Sequence, residues 1–107
     1  MEPYWKLDGK TPVPATKKEW GDMLMSSDRI LCFTKIDDVE VSTIFFGLNT
    51  SPTNLDMTIP DRMFETMVFG GTFNREAWRW NTYDEAMEGH SGICLIVKAD
   101  LEKKVEK

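Results

Sequence analysis

Ile30-Leu31-Cys32-Phe33-Thr34-Lys35-Ile36-Asp37-Asp38-Val39-Glu40-Val41-Ser42-Thr43-Ile44-Phe45-Phe46 is the stretch on which the fold turns. Two runs of β-branched and aromatic residues flank a two-residue acidic turn, the pattern of a β-hairpin. Working outward, Met63-Phe64-Glu65-Thr66-Met67-Val68-Phe69 reads as a third strand and Gly70-Gly71 as the turn after it. Ala77-Trp78-Arg79-Trp80 is the fourth, with both indoles on one face because alternate strand residues point the same way. On the other side, Tyr4 to Leu7 makes a short strand that ends at Asp8-Gly9, and Pro12 and Pro14 hold an extended approach to a helix.

That helix has a marked start. Thr16-Lys17-Lys18-Glu19 is a capping box, in which hydroxyl and carboxylate each satisfy a free amide. Trp20, Met23 and Leu24 then form one apolar stripe, and Ser26-Ser27-Asp28 stops it. A second box, Thr82-Tyr83-Asp84-Glu85, opens the last helix, whose apolar face runs through Ala86, His90, Ile93, Cys94, Val97, Leu101 and Val105. Gly89 and Gly92 each cost about 1 kcal/mol against Ala in a helix interior, so a bend or break is expected there. The order β-α-β-β-β-β-α describes an antiparallel sheet of four to five strands with two helices, a single α+β domain over residues 1–107. The predicted core is Trp20, Met23, Leu24, Leu31, Phe33, Val41, Phe45, Phe64, Val68, Ile93 and Val97.

Composition narrows the functions. The chain has 107 residues, 41% of them hydrophobic and 29% charged, which suits one globular domain. Thirteen Lys and Arg against 18 Asp and Glu give a net charge of −5. No basic stripe is present, so a duplex nucleic acid is an unfavoured partner. Residues 31–61 hold Lys35 against Asp37, Asp38, Glu40, Asp56 and Asp61, one positive charge against five negative, or −4. A surface of that sign can steer a basic partner. No secretory signal or membrane-length apolar run is found, and the two cysteines, Cys32 and Cys94, lie far apart in sequence, so a reducing cytoplasm is the expected setting.

Several stretches together resemble a family of small, uncharacterised proteins of tailed bacteriophages. They are Tyr4-Trp5-Lys6-Leu7-Asp8-Gly9-Lys10 with Pro12-Val13-Pro14-Ala15, then Val41-Ser42-Thr43 with Phe46-Gly47-Leu48, then Phe64 to Gly71, and finally Thr82 to His90. Relatives often carry Asp-His after the Gly-Leu pair, where this chain has Asn49-Thr50. The resemblance implies an infected bacterial host as the setting and brings no activity with it.

The candidate chemical constellations are few. His90 and Cys94, four apart on one helical face, have ligand spacing, yet two ligands do not make a zinc site and Cys32 would have to supply a third. A Cys–His nucleophile needs an exposed thiolate, whereas Cys94 falls in the apolar stripe. Asp37-Asp38, Asp84-Glu85 and Asp61 with Glu65 have structural explanations as a turn, a helix start and a strand start. Gly70-Gly71 lacks the Lys-Ser or Lys-Thr of a phosphate loop. Trp78-Arg79-Trp80 could stack bases or anchor a protein interface, but indoles two apart on a strand also suit a core beneath a helix.

The residues thus predict no cofactor, no metal and no catalytic set. They favour a non-enzymatic interaction protein, and the resemblance to phage proteins implies that it acts in the host cell cytoplasm, binding a host protein of defence or metabolism. A small enzyme built on His90 and nearby carboxylates, or a minor virion component, are the alternatives. The expected partner surface comprises Asp37, Asp38, Arg79 and, in the polar segment Asn49–Pro60, Asn49, Thr50, Ser51, Asn54 and Asp56. A homodimer through the open sheet face or a sheet edge is expected as a further association.

Overall fold

Asp37-Asp38 closes Ile36 against Val39, and that pairing sets the register of everything downstream. The computed structural model describes residues 3–48 and 62–105. Strands β3 (Ile30–Ile36), β4 (Val39–Phe45), β5 (Phe64–Phe69) and β6 (Ala77–Trp80) follow β1 (Trp5–Asp8), β2 (Thr11–Pro14) and helix α1 (Lys17–Leu24). Helix α2 (Tyr83–Val105) completes the chain. Four strands form one antiparallel sheet in the order β3-β4-β5-β6, and β1 and β2 form a separate two-stranded hairpin. The fold is α+β, as the strand and helix signals predict.

The hairpin adds a strand, β2, where the prolines suggested only extended chain. The turn at Gly9 and Lys10 makes Asp8–Thr11 the closing pair, so hydrogen-bonded pairs fall at Thr11 and Val13. Pro12 and Pro14 occupy the alternate sites, whose backbone nitrogen points away from β1, and the strand forms without losing a bond.

Helix α1 begins as its capping box requires: Glu19 N–H donates to Thr16 Oγ1 (3.1 Å) and Thr16 N–H to Glu19 Oε1 (2.9 Å). At α2 only half of the second box forms. Glu85 N–H donates to Thr82 Oγ1, but the Glu85 carboxylate accepts from Asn81 N–H, one residue earlier than expected. Contrary to the expected break, α2 is continuous through Gly89 and Gly92. A Cβ on Gly89 would stand 2.3 Å from the Trp80 indole, so this glycine lets the ring lie against the helix backbone.

Helix α2 covers one face of the four-stranded sheet. Val39, Val41, Val68, Ile93, Cys94 and Val97 form one core cluster, and Trp5, Phe45, Met63, Phe64 and Ala86 another. Trp80 packs against both and joins them. Of the predicted core, Val41, Phe45, Phe64, Val68, Ile93 and Val97 are buried. Trp20, Met23 and Leu24 are only half-buried, since α1 packs on the hairpin at the end of the sheet and not on its broad face, and Leu31 in β3 is half-buried as well. Phe33 is 53% exposed, a correction that register explains. Phe33 pairs with Ser42, so it shares the face opposite to Val41 and Thr43. A bulge between Ile30 and Cys32 returns Leu31 to the core side, where it packs against the second cluster.

Candidate functional site

His90 arrives on the buried face of α2, over β3 and β4, and is 3% exposed. Its Nε2 lies 2.8 Å from Thr34 Oγ1 and its Nδ1 2.7 Å from Thr43 Oγ1. Thr43 Oγ1 is 2.6 Å from Thr66 Oγ1, and Trp80 Nε1–H donates to Thr66 Oγ1 at 2.9 Å. An indole can only donate, so one orientation gives every proton of the buried members an acceptor and leaves over only the hydroxyl proton of half-buried Thr34, at the end of the series. Trp80 donates to Thr66, Thr66 to Thr43, and Thr43 to His90 Nδ1, while His90 Nε2–H donates to Thr34. Imidazolium would break this order. A proton on Nδ1 makes Thr43 an acceptor, turns the Thr43 hydroxyl toward Thr66, and leaves the Thr66 proton without a recipient. Burial likewise pushes the His90 pKa below its ordinary value of 6.5.

The chemistry open to this histidine is therefore slight. Both ring nitrogens are engaged by threonines and solvent is excluded. Cys94 is buried, Cys32 is half-buried, and both are free thiols. Among the described residues, no three His, Cys, Asp or Glu side chains converge as a metal-binding group. No periodicity in the sequence marks Thr34, Thr43 and Thr66 as one set. The signal that could have found them is the register: three threonines on the same face of adjacent strands, opposite the only histidine.

The opposite face of the sheet is different. No described helix covers it. One row across it runs Phe33, Ser42, Met67, Ala77. The row on one side carries Lys35, Glu40 and Phe69, the last 42% exposed. The row on the other carries Ile44, Glu65 and Arg79. Arg79 Nε donates to Glu65 Oε2 at 2.9 Å, and its guanidinium carbon sits 4.4 Å from the centroid of the Phe46 ring. The outcome is a surface of Phe33, Ile44, Met67 and Phe69 edged by charged side chains. Trp78 and Trp80 lie on the other face, half-buried under α2, so the indoles serve the core while Arg79 between them faces outward.

The remaining candidate residues divide between the two ends of the sheet. Asp37 and Asp38 are exposed at the β3–β4 turn, where a Cβ on Gly70 of the β5–β6 connection would stand 2.8 Å from the Asp38 carbonyl oxygen. Leu48 and Arg62, which bracket the segment 49–61, stand at the far end, where Phe46 N–H and Gly47 N–H donate to Met63 O. Asn49, Thr50, Ser51, Asn54 and Asp56 lie outside the described residues.

A groove of about 330 Å³ between hairpin and α1 is lined by Lys6, Leu7, Glu19, Asp22, Met23, Ser26 and Asp28. Its carboxylates are partly answered already. The Lys6 ammonium bonds the Glu19 carboxylate and, with the Thr16 amide, brings its pKa down to about 2. No described helix is long and apolar enough to cross a membrane. Comparison with protein-family models, curated proteins and solved structures gives no match for this chain.

Proposed function

We propose that this chain is a non-enzymatic binding module whose working surface is the uncovered face of the four-stranded sheet. The observation that carries the reading is the row Phe33–Ser42–Met67–Ala77 with Phe69 beside it, apolar surface that no described element covers. An exposed apolar patch rimmed by charge is a usual mark of a protein-binding surface. The engagement of both His90 ring nitrogens weighs against a catalytic role for that residue. With the resemblance to phage proteins, the partner is a host protein met in the cytoplasm of an infected cell, and the activity is to alter what that protein does. The acidic turn at Asp37 and Asp38 contributes charge that steers a basic partner, and the segment Asn49–Pro60 contributes further contacts.

The test is capture from a host lysate by the tagged chain, compared with Met67→Glu and with Asp37→Lys/Asp38→Lys. Met67→Glu places a charge at the centre of the open face and should abolish capture, with the melting temperature kept within a few degrees. The double reversal, or shortening of Asn49–Pro60, should weaken capture and leave stability nearly unchanged. Undiminished capture by Met67→Glu would refute the assignment of this face.

A further inference from the structure

Among the described residues, strand β3 is an outer strand and pairs only with β4. A two-residue turn makes its closing pair hydrogen-bonded, here Ile36 with Val39, and such pairs alternate along an antiparallel ladder. Cys32, Thr34 and Ile36 therefore direct their backbone groups to β4. Phe33 and Lys35 direct theirs outward, two N–H donors and two C=O acceptors in a row, with no described strand beside them. Chemistry of this kind is matched by one thing, another extended strand.

The two edges of the sheet are not equally protected. β6 is four residues long and carries Arg79, and short, charged edges resist pairing. β3 is seven residues long, has no proline, and has one charge, on Lys35. Its bulge lies at the start, between Ile30 and Cys32, so Cys32–Ile36 is left regular and centred on Thr34.

We propose that two copies of this chain pair antiparallel through their β3 edges, with Thr34 on the two-fold axis. This register sets Phe33 of each copy opposite Lys35 of the other. Both outward-facing residues of each strand then find partners, and the bulge stays outside the ladder. The ammonium that meets the phenyl ring has Glu40 as its cross-strand neighbour within its own sheet, which offsets its charge. Charge at the strand ends agrees. Asp28-Arg29 precedes β3 and Asp37-Asp38 follows it, so antiparallel alignment brings Arg29 of one strand, whose guanidinium also donates to Leu24 O and Ser26 O, beside the acidic turn of the other. A chain of net charge −5 otherwise repels its copies, and this edge is where opposite charges meet. The product is a continuous eight-stranded sheet whose two uncovered faces become one surface.

Light scattering and sedimentation of the intact chain from micromolar to millimolar concentration test the pairing. Wild type should show a monomer–dimer equilibrium. Phe33→Pro removes an N–H that points away from β4, a site where an edge strand tolerates proline. By symmetry the dimer loses two donors, and its dissociation constant should rise about 30-fold while far-UV circular dichroism keeps the fold. A second measurement does not depend on that variant folding. In a Cys32→Ser background, Phe33→Cys mixed with Lys35→Cys should form a cross-linked dimer faster than either protein alone, because a hydrogen-bonded pair lies about 5.5 Å apart, within disulfide reach. A chain still monomeric at about 1 mM overturns the proposal. So does a dimer indifferent to Phe33→Pro, or a mixture that cross-links no faster than its components. Met67→Glu, which tests the open face, should leave the dimer intact, so the two readings fail separately.

Discussion

Gly89 and Gly92 sit three residues apart in the same helix, yet alanine should act oppositely at the two sites. Replacing a helical glycine by alanine gains up to about 1 kcal/mol from backbone entropy alone. At Gly92 nothing lies within 4 Å of the new methyl group, so Gly92→Ala should realise most of that gain. At Gly89 the methyl carbon would stand 2.3, 2.5 and 2.6 Å from three carbons of the Trp80 indole. Carbon contacts settle near about 3.5–4.0 Å, so the ring has to retreat by more than about 1 Å. That ring joins both core clusters and donates to Thr66, so retreat costs about 1 kcal/mol for the hydrogen bond and about 1–3 kcal/mol for repacking. The net for Gly89→Ala is a loss of about 1–3 kcal/mol. At about 4–8 °C per kcal/mol for a domain of this size, the two variants should melt at least about 8 °C apart. Urea unfolding followed by circular dichroism measures both, and Trp80→Phe should shrink the Gly89→Ala penalty in a double-mutant cycle. A Gly89→Ala protein that melts with Gly92→Ala would refute the argument, because the indole would then be free to move.

Acidification from pH 7 to 5 should lower stability. Burial depresses the His90 pKa, so the unfolded chain takes up a proton near 6.5 that the folded chain resists, and the stability present above that pH is lost below it. Glu19, with its pKa near 2, stays ionised in both states over most of that window, so the slope should flatten in His90→Gln, read by urea midpoints across pH. Thr16→Ala and Thr82→Ala should each cost about 1 kcal/mol in the same assay, since each hydroxyl accepts from a helix amide. Phe64→Ala should cost about 3–5 kcal/mol and unfold much of the population, whereas Phe33→Ala, on the exposed face, should change stability by less than about 1 kcal/mol.

Strand and helix identities were legible where periodicity was strong, as in Ile30–Ile36, Val39–Phe45 and the Thr16 capping box. Facing was harder. Apolar pattern alone places Phe33 with Val41, but a two-residue turn pairs Ile36 with Val39, so odd positions in β4 share a face with even positions in β3. The turn carries that information and the composition of β3 does not, because its core-side residues are Cys32, Thr34 and Ile36 while a phenylalanine, Phe33, faces outward beside Lys35. β2 was hidden for a related reason: prolines at alternate positions are compatible with pairing only once the register is known. The polar chain through His90 was not legible at all, since its members are spread over 57 residues and meet only after four strands and a helix are in place.

That dispersion has a consequence for motion. Thr34, Thr43, Thr66 and Trp80 belong to β3, β4, β5 and β6 in turn, and His90 to the helix above them. Every strand of the sheet thus holds a member of one directional series, and no strand can peel away without leaving a buried donor or acceptor unanswered. Outer strands ordinarily fray, exchanging their amide protons long before the centre of the sheet does. Here the inner amides of β3 and β6 should exchange with those of β4 and β5, in a single opening close to the global one. A one-residue slip of any strand would turn its threonine or indole to the wrong face, so the series also acts as a test of assembly that only the native alignment passes.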